Sequence, residues 1–347
     1  MATVTIKDIA EQLGVSPATV SLALNGRHGV NEETRLSVLN LANELGYKGT
    51  TIKKITQHQG IINFLIYRKS GRILTNTQFF THLIEAVEKA ARANRCQLTI
   101  TYCDGQDNLQ TSIAEAAAGQ SIGILMLGTE MEQNDLTFVE KSSLPIVILD
   151  NELVASSLDM ISIHNLDGVW RAVEYLSTQG FHNIGYLRSS VPITNFAMRY
   201  MGYTYALHHF GGELNTAKVY KLSPTIEDAQ KDMQSLLEQG IKVPRALLAD
   251  NDLIALGAMR ALQEKGLRIP EDVAIIGFDN IPLAEYTRPS LCSIEVSCED
   301  LGCRAVETLL WRIQNPTATP QNIATGTKLV IRESVGRAEK PHDSPSK

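Results

Sequence analysis

Residues 5–26 read Thr5-Ile6-Lys7-Asp8-Ile9-Ala10-Glu11-Gln12-Leu13-Gly14-Val15-Ser16-Pro17-Ala18-Thr19-Val20-Ser21-Leu22-Ala23-Leu24-Asn25-Gly26. Thr5 and Asp8 have the spacing of a capping box, in which a hydroxyl takes an orphan backbone N–H and an acid sits three residues on. Ile6, Ile9, Ala10 and Leu13 follow at helical spacing. Gly14 stops that helix, because glycine readily adopts the left-handed conformation beyond a helix end. Ser16-Pro17 restarts at once, with Ser as cap and Pro at the first helical position. Thr19, Val20, Ala23 and Leu24 continue a face until Asn25-Gly26. Asn31 then caps a third helix with Glu32 and Glu33 in its first turn, a stripe of Val38, Leu41, Ala42 and Leu45, and Gly46 at its end. The short Gly14-Val15-Ser16 junction is that of a helix-turn-helix, whose second helix enters the major groove N-terminus first. Pro17, Ala18, Ser21 and Leu22 are its expected exposed residues, with Thr19 and Val20 turned mostly inward. A three-helix bundle that docks a partner has the same spacing.

The whole chain has 347 residues, enough for two or three domains. Its 44% hydrophobic and 20% charged content is that of a globular protein with a real core, not a disordered or collagen-like one. No apolar run is long enough to span a membrane, and no basic stretch followed by an apolar one opens the chain, so no membrane or secretory signal is expected. Five cysteines form a sparse, odd set that suits a reducing cytoplasm. The net charge of −6 argues against nucleic acid as a partner of the whole surface. Residues 1–60 carry six Lys/Arg and five Asp/Glu, so the head is mildly basic and the rest acidic.

From Ile61 strands and helices alternate. Strands are expected at 61–67, 97–102, 122–127, 145–150, 160–163, 184–188, 219–222, 246–249, 273–278, 293–296 and near 329–333. Helices are expected at 79–94, 166–179, 197–210, 252–265 and 298–313. This alternation argues parallel sheets covered by helices on both faces, and so many strands divide better between two lobes. The fold class is therefore an N-terminal all-α helix-turn-helix head and an α/β body of two doubly wound parallel-sheet lobes.

Open parallel sheets bind ligands beyond the carboxyl ends of their strands. That rule selects Asp150-Asn151, Asp250-Asn251-Asp252 and Asp279-Asn280, with Arg199 on a following helix. Carboxylates, amides and an arginine suit a polyhydroxyl ligand. Asp252 and Asn280 read better as helix caps or turns. No nucleotide-binding glycine loop, nucleophile elbow or paired-cysteine motif is present, and Asp250-Asn251-Asp252 lacks the glycine and distal acid of a calcium loop. No cofactor and no metal are expected.

The head resembles the LacI/GalR family of bacterial transcriptional regulators. The resemblance runs through Ile6–Ala10, Gly14–Ser21, Ala23–Gly26, Val30-Asn31, Thr34-Arg35 and Glu44–Tyr47. The body resembles the same family's effector domain, which is periplasmic-binding-protein-like. That likeness rests on 145–150, 181–186, 199–203, 246–252, 255–260, 270–273, 277–280 and 287–291. It implies a sequence-specific DNA-binding regulator, a repressor of a carbohydrate-related operon, controlled by a sugar or similar effector between the lobes and acting as a cytoplasmic homodimer on a pseudo-palindromic operator. The DNA contacts it implies fall on Thr5, Ser16, Pro17, Ala18, Thr19, Ser21, Leu22, Asn25, Asn31, Thr34 and Arg35. Effector contact falls on Asp150, Arg199, Asn251 and Asp279. Phe79 or Phe80 either stacks on the effector or is a core contact of its helix.

The implied domains are a head at 1–47, a linker at 48–60, a body at 61–335 and a polar tail at 336–347 without leucine heptads. The first lobe is about 61–159 and 291–325, and the second about 160–290 and 326–335. Two departures from the family stand out. Leu22 occupies a position where relatives usually carry an Arg that pairs with guanine. The linker lacks the usual Pro-Asn pair and places Thr56 where relatives have a wedging Leu. Ile55 is the nearest wedge candidate, and Lys53 and Lys54 favour phosphates whether the linker is a hinge helix or a tether. Arg68, Lys69 and Arg72 make the loop after the first strand basic, as an acidic effector would need and as a solvated loop also shows. Two alternatives remain: a sugar-binding protein with weak or lost operator binding, and a sugar-processing enzyme with Asp150 and Asp279 as its only plausible acids.

Overall fold

The computed structural model describes residues 4–24, 30–45, 47, 60–74, 78–212 and 218–337, with Glu32, Glu33, Leu39, Asn43 and Glu44 described by backbone alone. The chain divides into two compact units, Met1–His58 and Gln59–Lys347.

The first unit holds α1 (Ile6–Leu13), α2 (Pro17–Leu24) and α3 (Glu32–Glu44). The caps expected at Thr5, Gly14, Ser16 and Asn31 are made, and the ends expected at Asn25-Gly26 and Gly46 lie outside the described residues. Thr5 N and Oγ1 both donate to Asp8 Oδ2, at 2.7 and 2.9 Å. Ser16 Oγ accepts from Thr19 N at 3.0 Å, and Asn31 Oδ1 accepts from Thr34 N at 2.8 Å. Gly14 sits at φ 65°, and Val15 N reaches back to Ala10 O at 3.1 Å, closing α1 with a left-handed turn. Ile9, Ala10, Val20, Ala23, Leu24, Val38 and Ala42 form the buried core.

The second unit runs β1 (Ile61–Arg68), α4 (Gln78–Ala93), β2 (Gln97–Asp104), α5 (Leu109–Ala118), β3 (Ser121–Leu127), α6 (Leu136–Val139), β4 (Ile146–Leu149), β5 (Asp159–Ile163), α7 (Asn165–Thr178), β6 (Ile184–Ser189), α8 (Thr194–His209), β7 (Val219–Leu222), α9 (Ile226–Glu238), β8 (Ala246–Ala249), α10 (Asp252–Glu264), β9 (Ala274–Asp279), α11 (Leu283–Tyr286), β10 (Cys292–Val296), α12 (Cys298–Gln314), β11 (Asn322–Thr325) and β12 (Thr327–Val330). The first sheet is ordered β11-β5-β4-β3-β1-β2 and the second β12-β10-β9-β8-β6-β7. All pairings are parallel except β10 with β12. Each lobe therefore repeats one doubly wound plan, with its order reversing beside β1 in the first and β6 in the second. Ligands bind at such reversal points.

The lobe boundaries differ from the sequence expectation. β5 pairs with β4 and β11, so residues 160–163 belong to the first lobe. β10 pairs with β9 and β12, so 291–296 belong to the second. The chain crosses after Ile163, after Val296 and at Gly326, because each strand completes a sheet before the chain leaves it. α8 begins at Thr194 rather than 197, which adds a turn ahead of Arg199.

One ion pair ties the last helix of the first lobe to its sheet. Arg312 Nε and Nη2 reach Asp159 Oδ2 and Oδ1 at 2.6 and 2.8 Å, and Gln321 N also donates to Asp159 at 2.8 Å. Asp159 is 1% exposed. Removing the cation leaves a buried carboxylate without its partner, a loss of ~3–5 kcal/mol. Arg312→Ala is expected to lower the urea midpoint of the body by a corresponding amount, read by circular dichroism.

Candidate functional site

In the head, Pro17 and Ala18 are exposed and Thr19, Ser21 and Leu22 half-buried, while Val20 is fully buried. The first turn of α2 is thus presented to a partner while its opposite face packs in the core. Leu22 lies outside that core cluster. Thr5, Ser16 and Asn31 act here as helix caps, and Thr34 supplies the N–H that Asn31 accepts. Thr19 Oγ1 lies 2.8 Å from Ser16 Oγ. Arg35 Nη1 donates to Ala23 O at 3.4 Å and so braces α3 against the end of α2. Asn25, Lys53, Lys54 and Ile55 lie outside the described residues, as do the linker at 48–59 and the tail beyond Arg337.

The body closes on a small cavity of about 30 Å³ between its lobes. Ile73, Phe79, Phe80, Thr129, Asp150 and Ile163 line it from the first lobe, and Ile193, Asn195, Phe196, Arg199, Asn251 and Asp279 from the second. All six expected effector residues meet there. The strand-end rule explains why. Asp150 follows β4, Asn251 follows β8, Asp279 ends β9, and Phe79 and Phe80 open the helix after β1. Asp150 and Asp279 sit at φ 62° and 101°, a turned-back conformation at the ends of their strands.

A continuous polar chain links these groups. Thr129 Oγ1 donates to Asp150 Oδ2 at 2.5 Å, and Asn195 Nδ2 crosses between the lobes to Asp150 Oδ1 at 2.9 Å. Asn165 Nδ2 donates to Asn195 Oδ1 at 2.8 Å, and Arg199 Nε donates to Asn165 Oδ1 at 2.9 Å. Arg199 Nη1 donates to Asp250 O at 2.5 Å, and Nη2 pairs with Asp279 Oδ1 at 3.1 Å. The face of the Phe278 ring lies 3.6 Å from the guanidinium carbon. Phe79 and Phe80 are buried and meet edge to face, with centroids 5.2 Å apart. They therefore serve the core of α4 and the cavity wall together.

Burial pushes the carboxyls of Asp150 and Asp279 up to about 6 against the pull of Arg199. Asp250, held by Tyr186 Oη and Ser189 N at 2.6 Å each, is also pushed by burial to about 6. Asp252 lies behind the cavity wall, accepting from Ser293 Oγ at 2.6 Å and Ile281 N at 2.8 Å, and burial with the charge of Asp279 raises it to about 8. It is not the cap of α10. Asn251 is, through Ile254 N at 3.0 Å. Asn280 is a turn residue whose N–H donates to Ser293 Oγ at 3.0 Å.

Thr129, Asn165, Asn195 and Phe196 were not singled out from the sequence. Thr129 and Asn165 follow β3 and β5, so the strand-end rule, applied to every strand, selects both. Asn195 stands four residues before Arg199 on one helix face. Two of the three basic side chains of the loop after β1 are paired with acids outside it. Arg68 makes a two-pronged pair with Asp104 at 2.6 and 2.9 Å, and Lys69 Nζ lies 2.6 Å from Glu132. Among the described residues no group of three His, Cys, Asp or Glu side chains is arranged to hold a metal ion, and no helix is long and apolar enough to cross a membrane.

Residues 5–49 match the family of bacterial regulatory proteins described as the lacI family, and residues 173–335 match a periplasmic binding protein-like domain. The HTH-type transcriptional repressor PurR of Pasteurella multocida (strain Pm70) is 32% identical over 337 residues, spanning 95% of this chain and 98% of that protein. The ribose operon repressor of Haemophilus influenzae is 32% identical over 338 residues, with the same coverage. Among solved structures, a complex of the transcriptional regulator CelR with cellobiose aligns with TM-score 0.70 and 25% identity over 95% of this chain and 99% of that one. A lac repressor dimer bound to operator and an anti-inducer, 24% identical over 96% and 99% of the two chains, shares the fold at TM-score 0.70. With a helix-turn-helix head, two doubly wound lobes and relatives matched almost end to end, the chain belongs to the lacI family of bacterial regulatory proteins and is a DNA-binding transcriptional regulator.

Proposed function

We propose that this regulator is a repressor that holds a pseudo-palindromic operator as a homodimer and answers to a small, uncharged polyhydroxyl effector bound between its lobes. The observation that carries the effector reading is the polar chain from Thr129 through Asp150, Asn195 and Asn165 to Arg199 and Asp279. It lines one cavity with hydroxyl-binding groups from both lobes, so a ligand there acts on the disposition of the two. The cellobiose of the CelR complex and the name of the ribose operon repressor support a sugar. An anionic effector is disfavoured, because Asp150 and Asp279 outnumber the one arginine lining the cavity and none of Arg68, Lys69 and Arg72 lines it. A catalytic role is disfavoured too. Both oxygens of Asp150 are engaged by Thr129 and Asn195, and Asp279 is paired with Arg199, so neither is poised as a free general acid.

A single head offers too little surface for a specific site, and two heads about a two-fold axis read a pseudo-palindrome. Coupling then follows from linkage: an effector that favours one arrangement of the lobes changes operator affinity by the same factor by which operator changes effector affinity.

Three outcomes test this. Anisotropy titrations against DNA from the protein's own upstream region, at two salt concentrations, should show salt-dependent specific binding that D-ribose or cellobiose shifts and ribose 5-phosphate does not. Arg199→Ala should abolish that response. No specific binding under any condition moves the reading to a sugar-binding protein that has lost its operator function. Leu22→Arg should raise affinity at least tenfold for sites carrying guanine opposite that position, since a two-pronged Arg–guanine pair contributes ~1–3 kcal/mol of discrimination; a preference for the same sites as the parent chain argues against base contact by this position. The buried carboxylates set a pH dependence. Asp150, Asp250, Asp279 and Asp252 keep their protons in the folded chain where unfolded carboxyls have lost them, so their stabilising contribution is full below pH ~4 and is lost as pH rises through about 6, and through about 8 for Asp252. The urea midpoint should therefore fall between pH 5 and 8, and Asp252→Asn should flatten the upper part of that fall.

A further inference from the structure

The turn after β3 serves two neighbours. Thr129 holds Asp150 in the cavity, and the next residue, Glu130, is received by the loop after β1. Glu130 is 5% exposed. Its Oε2 accepts from Ser70 N at 2.6 Å and Gly71 N at 2.9 Å, and its Oε1 from Ile73 N at 3.0 Å and Ser70 Oγ at 3.3 Å. Gly71, at φ 69°, turns the backbone so that these amides converge. Converging backbone N–H groups make an anion site, and here the protein's own carboxylate fills it. The turn that carries Glu130 is itself clamped. Asn151, beside Asp150, donates from Nδ2 to Gly128 O at 2.6 Å and Met131 O at 3.0 Å.

We propose that Glu130 is a positioning residue for the effector: it fixes the loop 70–73 and so sets Ile73, which lines the cavity, against the ligand. This rests on the effector reading above. Removing the carboxylate takes away the acceptor that Ser70, Gly71 and Ile73 share; the exposed Ser70 can turn to water, but the N–H of the buried Ile73 reaches water only if the loop shifts and takes Ile73 with it. Glutamine retains the shape but offers one oxygen, and its amide hydrogens face the donors of the loop.

The experiment compares the full chain with Glu130→Gln and Glu130→Asp, using hydrogen exchange, D-ribose titration and operator binding. In Glu130→Gln, exchange over residues 70–73 is expected to accelerate at least tenfold while β1 and β3 keep their protection. D-ribose affinity should fall at least tenfold, and operator affinity without sugar should stay unchanged. Glu130→Asp, which keeps the charge, should recover part of both effects. Exchange at residues 70–73 that remains as in the parent overturns the proposal whatever the sugar does. So does faster exchange spread through the first lobe, which marks a merely structural group, or a D-ribose affinity that the loosened loop leaves unchanged. A parent chain that ignores D-ribose counts instead against the ribose form of the effector reading, and exchange still decides whether Glu130 fixes the loop.

Discussion

The body depends on one buried cation. Arg199 is 3% exposed, and a guanidinium withdrawn from water must be matched by acceptors on every side. It is matched by the start of α7 through Asn165, by the end of β8 through the Asp250 carbonyl, and by the end of β9 through Asp279. The Phe278 ring covers one face of its plane. Three elements of the second lobe are thereby held in register at their ligand-binding ends. Through Asn165 and Asn195 the same network reaches Asp150 in the first lobe.

Around that cation the carboxylates are in excess. Asp150, Asp250, Asp252 and Asp279 are all withdrawn from solvent; Arg199 pulls on Asp150, Asp250 and Asp279, with Arg188 also acting on Asp250 and Arg332 on Asp252. Their hydrogen bonds to Thr129, Asn195, Tyr186, Ser189, Ser293 and Ile281 favour the charged forms, yet burial still raises each above the ordinary carboxylate range. Of these carboxylates only Asp150 and Asp279 line the cavity, and on the effector reading proposed above they are the acceptors that a hydroxyl donor would meet and whose oxygens a phosphate or carboxylate would duplicate.

Much of this was legible without coordinates, for reasons that differ by residue. Thr5, Asp8, Gly14, Ser16 and Asn31 act on neighbours three or four residues away, so local spacing carries their meaning. Asp150, Asn251 and Asp279 follow apolar runs and are found by the strand-end rule. The lobe boundaries were not legible, because β5 and β10 look the same whichever sheet they join. β11 escaped notice because Asn322-Ile323-Ala324-Thr325 is short and mostly polar, an edge strand defined by its pairing with β5. Glu130 is the clearest miss. Its partners are separated from it by 57 to 60 residues, and nothing in its neighbours distinguishes a caged carboxylate from a solvated one.

The charge distribution bears on how the head works. Residues 1–60 carry a net charge of +1 and the rest of the chain −7, so the head is the part less repelled by a phosphate backbone. The first turn of α2 exposes Pro17 and Ala18 beside the hydroxyls of Ser16 and Thr19, and an aliphatic Leu22 cannot form the two-pronged pair that an arginine makes with guanine. Each such contact discriminates weakly. On the homodimer reading proposed above, specificity rests on pairing two heads. A regulator whose reading surface is weak in this way gains the most from a body held in a defined arrangement, which is what the buried Arg199 network supplies.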